Sequence, residues 1–243
     1  MDYKQILSVC EERKHLISMV SVERIVELGY SIGLNENSRV LDFGCGYGTM
    51  LKIWSEAFGI SGIGIDIESE FIETGKSRLT NDRIELLTED MFEYKTDEKF
   101  DVLLCTEFSC GAVGHDVPFA DLKSGLDFLS QFSKLNGKII FGRLFSKFPN
   151  LPKELIDFDG ELPTLIEIYE AVKQSGYYIT AMATDTTAEW ERYITWSAKR
   201  DLENLRRTPT DTALASWIDK WYQIYFEYRR QYEGWGLFAV ERL

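Results

Sequence analysis

The sequence predicts an α/β protein built on a largely parallel sheet with helices on both faces. Between about residues 38 and 142, short apolar runs typical of buried strands alternate with helical patterns. The run 39–43 is followed by three glycines at alternate positions, Gly44, Gly46 and Gly48. Glycine permits a tight turn with positive φ and lets a ligand approach the backbone closely. A strand, a ligand-binding turn and a helix are therefore expected in this order.

The remaining elements follow from the same periodicities. They are N-terminal helices within 4–31, helices at 122–135 and 164–175, a sixth strand at 177–183 and a last strand at 236–240. Between the last two strands, residues 185–232 form a helical insertion dense in aromatic side chains. Trp217, Trp221, Tyr225 and Tyr228 follow helical steps, which indicates that this stripe packs onto the sheet.

The spacing of the glycines distinguishes two classes of nucleotide ligand. Dinucleotide-binding folds use G-x-G-x-x-G, which places a pyrophosphate on a helix N-terminus. Here the order is Asp-x-Gly-x-Gly-x-Gly, and Thr49 stands where the third glycine would be. An acid just before the glycines suits a ligand that carries a cation. The segment 39–48 resembles motif I of the class I S-adenosylmethionine-dependent methyltransferases.

Four further segments continue this resemblance in family order. They are 63–66, 84–91, 100–105 and 136–141, read as strands two to five. The resemblance implies a Rossmann-like, seven-stranded methyltransferase sheet and S-adenosylmethionine as the cofactor. A helical insertion of this length between strands six and seven is longer than the family's usual short hairpin.

The resemblance also assigns cofactor contacts residue by residue. The acid that ends the second strand holds both ribose hydroxyls in the family, and its match is Asp66, followed by Ile67. The acid after the third strand accepts from the adenine amino group, and the next backbone N–H meets a ring nitrogen. Those positions correspond to Asp90 and Met91.

The methionine end of the cofactor is expected on Asp42 and the backbone of the glycine turn. Cys45 lies within that turn, and small residues commonly occupy its position in the family. We therefore interpret Cys45 as a packed spacer beside the cofactor and not as a nucleophile. Cys105, at the end of the fourth strand, completes the expected cofactor set.

Methyl transfer requires alignment of the two reacting atoms and exclusion of water, with a general base only where the acceptor is protonated. The glycine-rich segment after strand four offers Glu107 and His115 as possible bases, and the N-terminal helical region offers His15. Each of these residues also fits a surface position. Glu107 is in addition a candidate for orienting the substrate.

Aromatic residues at the start of the insertion are candidates for the acceptor pocket. Trp190 and Tyr193 lie in Trp-Glu-Arg-Tyr, which together with the C-terminal residues 232–238 resembles a poorly characterised group of bacterial small-molecule methyltransferases. That group tends to show Gly-Glu after strand five, whereas this chain has Gly142-Arg143. Arg143 is therefore a candidate partner for an acceptor carboxylate.

Composition limits the class of substrate. The 243 residues fit a single domain spanning 1–243, with a cofactor-binding half at 38–145 and the insertion at 185–232 near the acceptor site. A net charge of −13 opposes nucleic-acid binding, which relies on basic grooves, so a small-molecule acceptor is expected. No apolar run is long enough for a membrane span, and no acidic cluster suggests a metal site.

Four cysteines without disulfide or zinc spacing, and an N-terminus without signal-peptide order, indicate a cytoplasmic protein. The residues leave other functions open: a non-catalytic S-adenosylmethionine-binding subunit or sensor, and a protein or peptide acceptor. A nicotinamide-dependent oxidoreductase is disfavoured by the glycine spacing. The acceptor atom and the oligomeric state do not follow from the sequence.

Overall fold

The computed structural model describes residues 16, 18–80, 82–106 and 121–242. The strands are β1 (Arg39–Phe43), β2 (Ser61–Asp66), β3 (Ile84–Thr88), β4 (Phe100–Cys105), β5 (Ser133–Ser146), β6 (Tyr177–Thr184) and β7 (Glu233–Arg242). The helices are α1 (Val22–Ser31), α2 (Thr49–Phe58), α3 (Ser69–Lys76), α4 (Leu122–Ser130), α5 (Lys153–Asp159), α6 (Leu165–Gln174), α7 (Thr187–Arg207), α8 (Thr212–Ile224) and α9 (Arg230–Tyr232). A π-helical turn, Tyr225–Arg229, joins α8 to α9.

Within these residues, seven strands form one mixed sheet in the order β3-β2-β1-β4-β5-β7-β6. Strands β1 to β5 run parallel, and β7 runs antiparallel to both β5 and β6. The last residues of β1 to β6 and the first residues of β7 therefore lie along one side of the sheet, which we call the carboxyl edge. The predicted Rossmann-like fold class, with a helical insertion between β6 and β7, is confirmed.

The core consists of two layers, one on each face of the sheet, because side chains alternate along each strand. One layer combines alternate strand residues with the apolar sides of α1, α2 and α3 and with Trp190 and Tyr225 of the insertion. The opposite layer combines the intervening strand residues with the apolar sides of α4 and α6. The insertion thus packs onto the same face as the helix that follows the glycine turn.

Local sequence signals place the ends of α6 accurately. Thr164 and Glu167 form a reciprocal capping box at its start, where each side chain accepts the other residue's backbone N–H. The helix ends at Gln174 with Ser175 as its C-cap, and Gly176 adopts a φ of +82°. The structure therefore matches the predicted helix at 164–175.

Other predicted boundaries were wrong. The helix predicted at 122–135 ends at Ser130, because the carbonyl of buried Phe132 already accepts the N–H of Phe100 in the sheet. The third strand ends at Thr88 rather than Met91, since the chain turns after it. Helix α5 was not predicted, and the last strand extends beyond 236–240 at both ends. Of the predicted N-terminal helices, α1 is observed, and residues 1–15 lie outside the described part.

None of the helices in the described residues is long and apolar enough to cross a membrane. Among the same residues, no group of His, Cys, Asp and Glu side chains is arranged to hold a metal ion.

Candidate cofactor and acceptor sites

The turn between β1 and α2 has a left-handed backbone at each of its three glycines. Gly44 and Cys45 donate their N–H groups to the carbonyl of Ile65, at 2.8 and 3.0 Å, which fastens the turn to the end of β2. Gly48 has a φ of +67°, and a Cβ there would lie 2.6 Å from Leu86 Cδ2. A side chain at Gly48 is therefore excluded by both backbone conformation and packing.

Asp66 joins the glycine turn to the loop after β2. Its Oδ2 accepts the Gly46 N–H at 2.8 Å, and its Oδ1 accepts the Glu68 N–H at 2.9 Å. An ionised carboxylate has about four lone-pair sites, so each oxygen retains capacity for one more donor. The two backbone bonds fix the orientation of the carboxylate, as a site for a pair of ligand hydroxyls requires.

Asp42 presents an unsatisfied acceptor beneath the same turn. Its side chain is 2 % exposed, and Oδ1 has no hydrogen-bond partner among the described residues. Burial, followed by the negative charge of Asp66, raises the pKa of Asp42 well above its ordinary value. A buried, unpartnered carboxyl oxygen beside a second acid fits a ligand that brings a positive charge or hydrogen-bond donors.

The loop after β3 lies against Asp66. The Glu89 N–H donates to the Asp66 carbonyl at 3.0 Å, and Asp90 Oδ1 accepts the Phe92 N–H at 2.9 Å. Asp90 is exposed, and the half-buried Met91 packs onto the core layer of α4 and α6. Ile67, directly after Asp66, is 66 % exposed and so leaves an apolar surface open beside these two loops.

The two described cysteines are packed. Cys105 is buried at the end of β4, paired with Phe43 of β1 and Phe141 of β5. Cys45 packs so closely that a Cβ on Gly64 would lie 2.8 Å from its Sγ. Burial, then the charges of Asp42 and Asp66, raises the pKa of the Cys45 thiol. The thiol is therefore protonated and is not an activated nucleophile.

The polar residues of Trp-Glu-Arg-Tyr anchor the insertion to the N-terminal segment. Arg192 Nε donates to Glu189 Oε2 at 2.7 Å, and its Nη1 donates to the Leu16 carbonyl at 2.9 Å. Arg192 Nη2 also donates to the carbonyl of Ser18. Leu16 and Ser18 are buried. The segment before α1 is thus held against the start of α7.

The aromatic residues of the insertion form a contiguous cluster, consisting of Trp190, Tyr193, Trp221 and Tyr225. Trp190 contacts Tyr193 edge-on at a centroid distance of 6.2 Å and Tyr225 at 6.1 Å. Trp221 is nearly parallel to Tyr225, at 6.2 Å and 8°. The predicted stripe packs only in part, because Trp217 is 50 % exposed.

A buried ion cluster closes the end of the insertion. Arg229 donates to both carboxylate oxygens of Asp159, with Nε 2.8 Å from Oδ2, and the same Nε lies 3.4 Å from Glu233 Oε2. The guanidinium carbon also lies 5.3 Å from the ring centroid of Trp221. Burial raises the pKa of Glu233 to about 8, with Arg229 opposing the shift and Asp159 reinforcing it.

Residues 40–126 match a family model described as a methyltransferase domain. The solved structure of an S-adenosylmethionine-dependent methyltransferase from Thiobacillus denitrificans, in complex with S-adenosyl-L-homocysteine, is 25 % identical over the whole of both chains, with a TM-score of 0.81. The corresponding complex from Geobacter sulfurreducens is 23 % identical over 98 % of each chain, with a TM-score of 0.83. The uncharacterised protein YjhP of Escherichia coli (strain K12) is 27 % identical over 99 % of both chains.

These matches support a class I S-adenosylmethionine-dependent methyltransferase. The family, enzyme class and cofactor predicted from the sequence are thereby confirmed. The resemblance to a poorly characterised bacterial group is confirmed as well, because YjhP matches along nearly its full length.

In this methyltransferase, the predicted cofactor residues converge at one place. The charge of Asp66 is close enough to raise the pKa of both Asp42 and Cys45, and the hydrogen bond from Glu89 to Asp66 brings the Asp90 loop beside them. Their contacts with the cofactor remain predictions. Glu107, His115 and His15 lie outside the described residues, so their proposed roles as bases remain predictions too.

The predicted acceptor residues of the methyltransferase lie on two faces of the sheet. Trp190 and Tyr193 belong to the core layer of α1 to α3. Arg143 lies two positions from Phe141 and from Phe145 along β5, so it shares their face, which belongs to the opposite layer. The structure does not group Arg143 with the two aromatic residues, and its role in substrate binding remains a prediction.

Sequence reasoning missed the cluster of Asp159, Arg229 and Glu233. Arg229 and Glu233 are four positions apart, a spacing that favours pairing on a helix, although Glu233 already begins β7. Asp159 gave no signal, because it lies 70 positions before Arg229.

Proposed function

We propose that this methyltransferase transfers the methyl group of S-adenosylmethionine to a small, neutral molecule held between the glycine turn and the helical insertion. The observation that carries the proposal is the unsatisfied, buried Oδ1 of Asp42 beside a glycine turn whose backbone is fixed by Asp66. When bound, S-adenosylmethionine supplies an electrophilic methyl group on a sulfonium. The protein has to bind, orient and desolvate the two reactants.

The proposed cofactor contacts follow the carboxyl edge from β1 to β3. Asp66 accepts both ribose hydroxyls through the lone pairs that Gly46 and Glu68 leave unused. Asp90 accepts from the adenine amino group, while the Met91 N–H donates to a ring nitrogen. Ile67 covers one side of the adenine, which accounts for its exposure in the protein alone. Asp42 and the glycine backbone receive the methionine end.

The insertion supports an acceptor site on the same side of the sheet. Helix α7 begins three residues after β6 ends, and α9 directly precedes β7, so both ends of the insertion are at the carboxyl edge. Trp190 and Tyr193 belong to the core layer that also contacts Cys45 of the glycine turn. Aromatic walls exclude water from the reacting atoms and also suit a sulfonium, which is stabilised by π-faces.

Small-molecule transfer is favoured over the other candidate functions by the charge and the insertion. A net charge of −13 disfavours a nucleic-acid acceptor. A protein or peptide acceptor requires an open groove, whereas Trp190 and Tyr225 of the aromatic cluster are buried and Tyr193 and Trp221 are partly buried. A non-catalytic S-adenosylmethionine-binding subunit would keep the cofactor contacts and lack turnover. The cysteine pattern continues to favour a cytoplasmic location.

Two measurements on the full chain test the proposal. Thermal unfolding with S-adenosylmethionine, S-adenosylhomocysteine or NADH is expected to show stabilisation by the first two alone. At 100 times its dissociation constant, a ligand adds about 2.7 kcal/mol, which raises Tm by roughly 5–10 °C. A metabolite panel is then assayed for S-adenosylhomocysteine formation.

The two measurements separate the alternatives. Stabilisation by NADH alone contradicts the cofactor assignment. Stabilisation by S-adenosylhomocysteine, with turnover on peptides and on no metabolite, contradicts the small-molecule acceptor. Cofactor binding without turnover on either class favours the binding subunit or sensor.

A further inference from the structure

Two polar atoms in the aromatic cluster are buried without a partner. Trp190 is 3 % exposed and Tyr225 is 1 % exposed. Neither Trp190 Nε1 nor Tyr225 Oη has a hydrogen-bond partner among the described residues. Leaving a buried donor unpaired is unfavourable, so two such groups in adjacent rings require an explanation.

The positions of these two residues point to a ligand site and not to ordinary core packing. Trp190 lies in the first turn of α7, close to the end of β6, and Tyr225 opens the π-helical turn that leads to β7. Both therefore lie near the carboxyl edge. Single π-helical turns within helices occur frequently at functional sites, because the extra residue redirects a side chain.

The chemistry of the two groups restricts what they can bind. An indole Nε1–H only donates, so Trp190 requires a ligand atom that accepts a hydrogen bond. Tyr225 donates as well when its hydroxyl is protonated, and burial raises the pKa of that hydroxyl. Both groups thus favour a ligand oxygen with available lone pairs.

The surrounding side chains favour an uncharged, flat ligand. Trp221 and Tyr225 present nearly parallel rings, and Tyr193 meets Trp190 edge-on. The charged groups near these rings are already paired within the protein: Arg229, 5.3 Å from the Trp221 centroid, binds Asp159, and Arg230 lies 2.7 Å from Glu191. An anionic ligand among these rings would be desolvated beside cations that are already paired, which is unfavourable. A cationic group would offer no lone pair to the two donors.

We infer that Trp190 and Tyr225 recognise the methyl acceptor by donating hydrogen bonds to one of its oxygen atoms, and that the acceptor is a small, uncharged, planar molecule. This inference rests on the proposed acceptor site in the insertion. It adds the substrate class to that proposal and makes Tyr225 a specificity-determining residue.

Acetophenone and ethylbenzene form a matched pair of probes, because they share a ring and a two-carbon substituent and differ by the carbonyl oxygen. The full chain, saturated with S-adenosylhomocysteine and labelled with ¹⁵N-tryptophan, is titrated with each probe. Acetophenone is expected to shift the indole N–H signal of Trp190, assigned with Trp190→Phe. Ethylbenzene is expected to bind about 3- to 10-fold more weakly, since it lacks the hydrogen-bond acceptor.

Variants test whether the Tyr225 hydroxyl causes the difference in affinity between the two probes. Tyr225→Phe should weaken acetophenone binding by about 3- to 10-fold, measured by ligand-observed NMR, and should leave ethylbenzene unchanged. Tyr222→Phe is the matched control, because the Tyr222 hydroxyl already lies 3.4 Å from Asp201 Oδ2. If Tyr225→Phe does not fold, Trp190→Phe provides the same comparison.

The outcomes distinguish a failure of this inference from a failure of the proposed function on which it rests. Equal affinities for the two probes, or unchanged acetophenone affinity in the folded variants, overturn the hydrogen-bond assignment alone. If neither probe shifts the Trp190 signal while calorimetry shows S-adenosylhomocysteine binding, the acceptor site and this inference both fail. Absence of S-adenosylhomocysteine binding overturns the cofactor contacts instead.

Discussion

The part of the carboxyl edge formed by β1 to β3, which we call the cofactor edge, and the helical insertion are built by opposite means. At the cofactor edge, carboxylates fix the backbone through short hydrogen bonds, as Asp66 does with Gly46 and Glu68. In the insertion, aromatic rings fill the space and an ion cluster links distant segments, as Arg229 does with Asp159. The first region is specified by a motif of a few adjacent residues, whereas the second depends on which distant side chains meet.

This difference indicates a division of roles. A fixed backbone suits a ligand common to the whole family, because glycine geometry and one carboxylate define the site. An aromatic layer suits a ligand that varies between relatives, since its shape changes with single side chains. The predictions below test whether stability and binding separate along this division.

The largest effect is expected at the ion cluster of the insertion. Arg229→Met leaves the buried acids Asp159 and Glu233 without their cation and should lower the free energy of unfolding by about 3–5 kcal/mol. Denaturant unfolding measures the loss. The triple variant Arg229→Met, Asp159→Leu and Glu233→Leu is the control and should recover most of it. A single variant as stable as the wild type would show that the cluster does not hold the insertion.

Two tryptophans of α8 provide a matched pair. Trp221 stacks on Tyr225 beneath Arg229, whereas Trp217 is half exposed. Trp221→Ala should lower the free energy of unfolding by about 3 kcal/mol, and Trp217→Ala by less than about 0.5 kcal/mol. Thermal or denaturant unfolding compares them. Equal losses would contradict the packing assigned to the insertion.

At the cofactor edge, binding rather than stability should respond. Asp66→Ala removes the acceptor proposed for the ribose hydroxyls and should weaken S-adenosylhomocysteine binding by about 1–3 kcal/mol. Titration calorimetry measures the change, with the exposed Asp97→Ala as the charge-matched control. Unchanged affinity in Asp66→Ala would refute the ribose assignment. A similar loss of S-adenosylhomocysteine affinity in Trp217→Ala would contradict the separate roles assigned to the two regions.

The last expected effect, which is small for each single pH unit, is a pH dependence within the insertion. The pKa of Glu233 is raised from its ordinary 4.5 to about 8, so between these values the folded state holds a proton that the unfolded state has released. Stability therefore falls as pH rises through this window, by at most about 1.4 kcal/mol per pH unit. Glu233→Gln should flatten the slope, measured by unfolding from pH 5 to 8. An unchanged slope would show that other groups cause the pH dependence of stability.

The cofactor edge was easier to predict from the sequence than the insertion, for a physical reason. The glycine turn and the capping box at Thr164 are encoded by residues within a few positions of each other, so their geometry follows from local rules. The boundary errors arose where tertiary contacts prevailed, as where Phe132 enters the sheet instead of continuing a helix.

The insertion resisted prediction because its contacts span long separations. Arg192 binds the Leu16 carbonyl 176 positions away, and Asp159 is 70 positions from Arg229. Periodicity identified its helices and aromatic stripe, yet it did not show which rings are covered or that Trp190 Nε1 and Tyr225 Oη lack partners. Such facts depend on the packed arrangement and have no sequence signature.

The pairing of Thr184 with Gly236 places the two ends of the insertion side by side in neighbouring strands. A loop whose ends already meet can change length at a small entropic cost, roughly 0.6 kcal/mol for each doubling. The segment between them can therefore change in length or sequence without displacing the strands. Under the proposed function, such a change would alter the acceptor site and leave the strands that hold the methyl donor as they are.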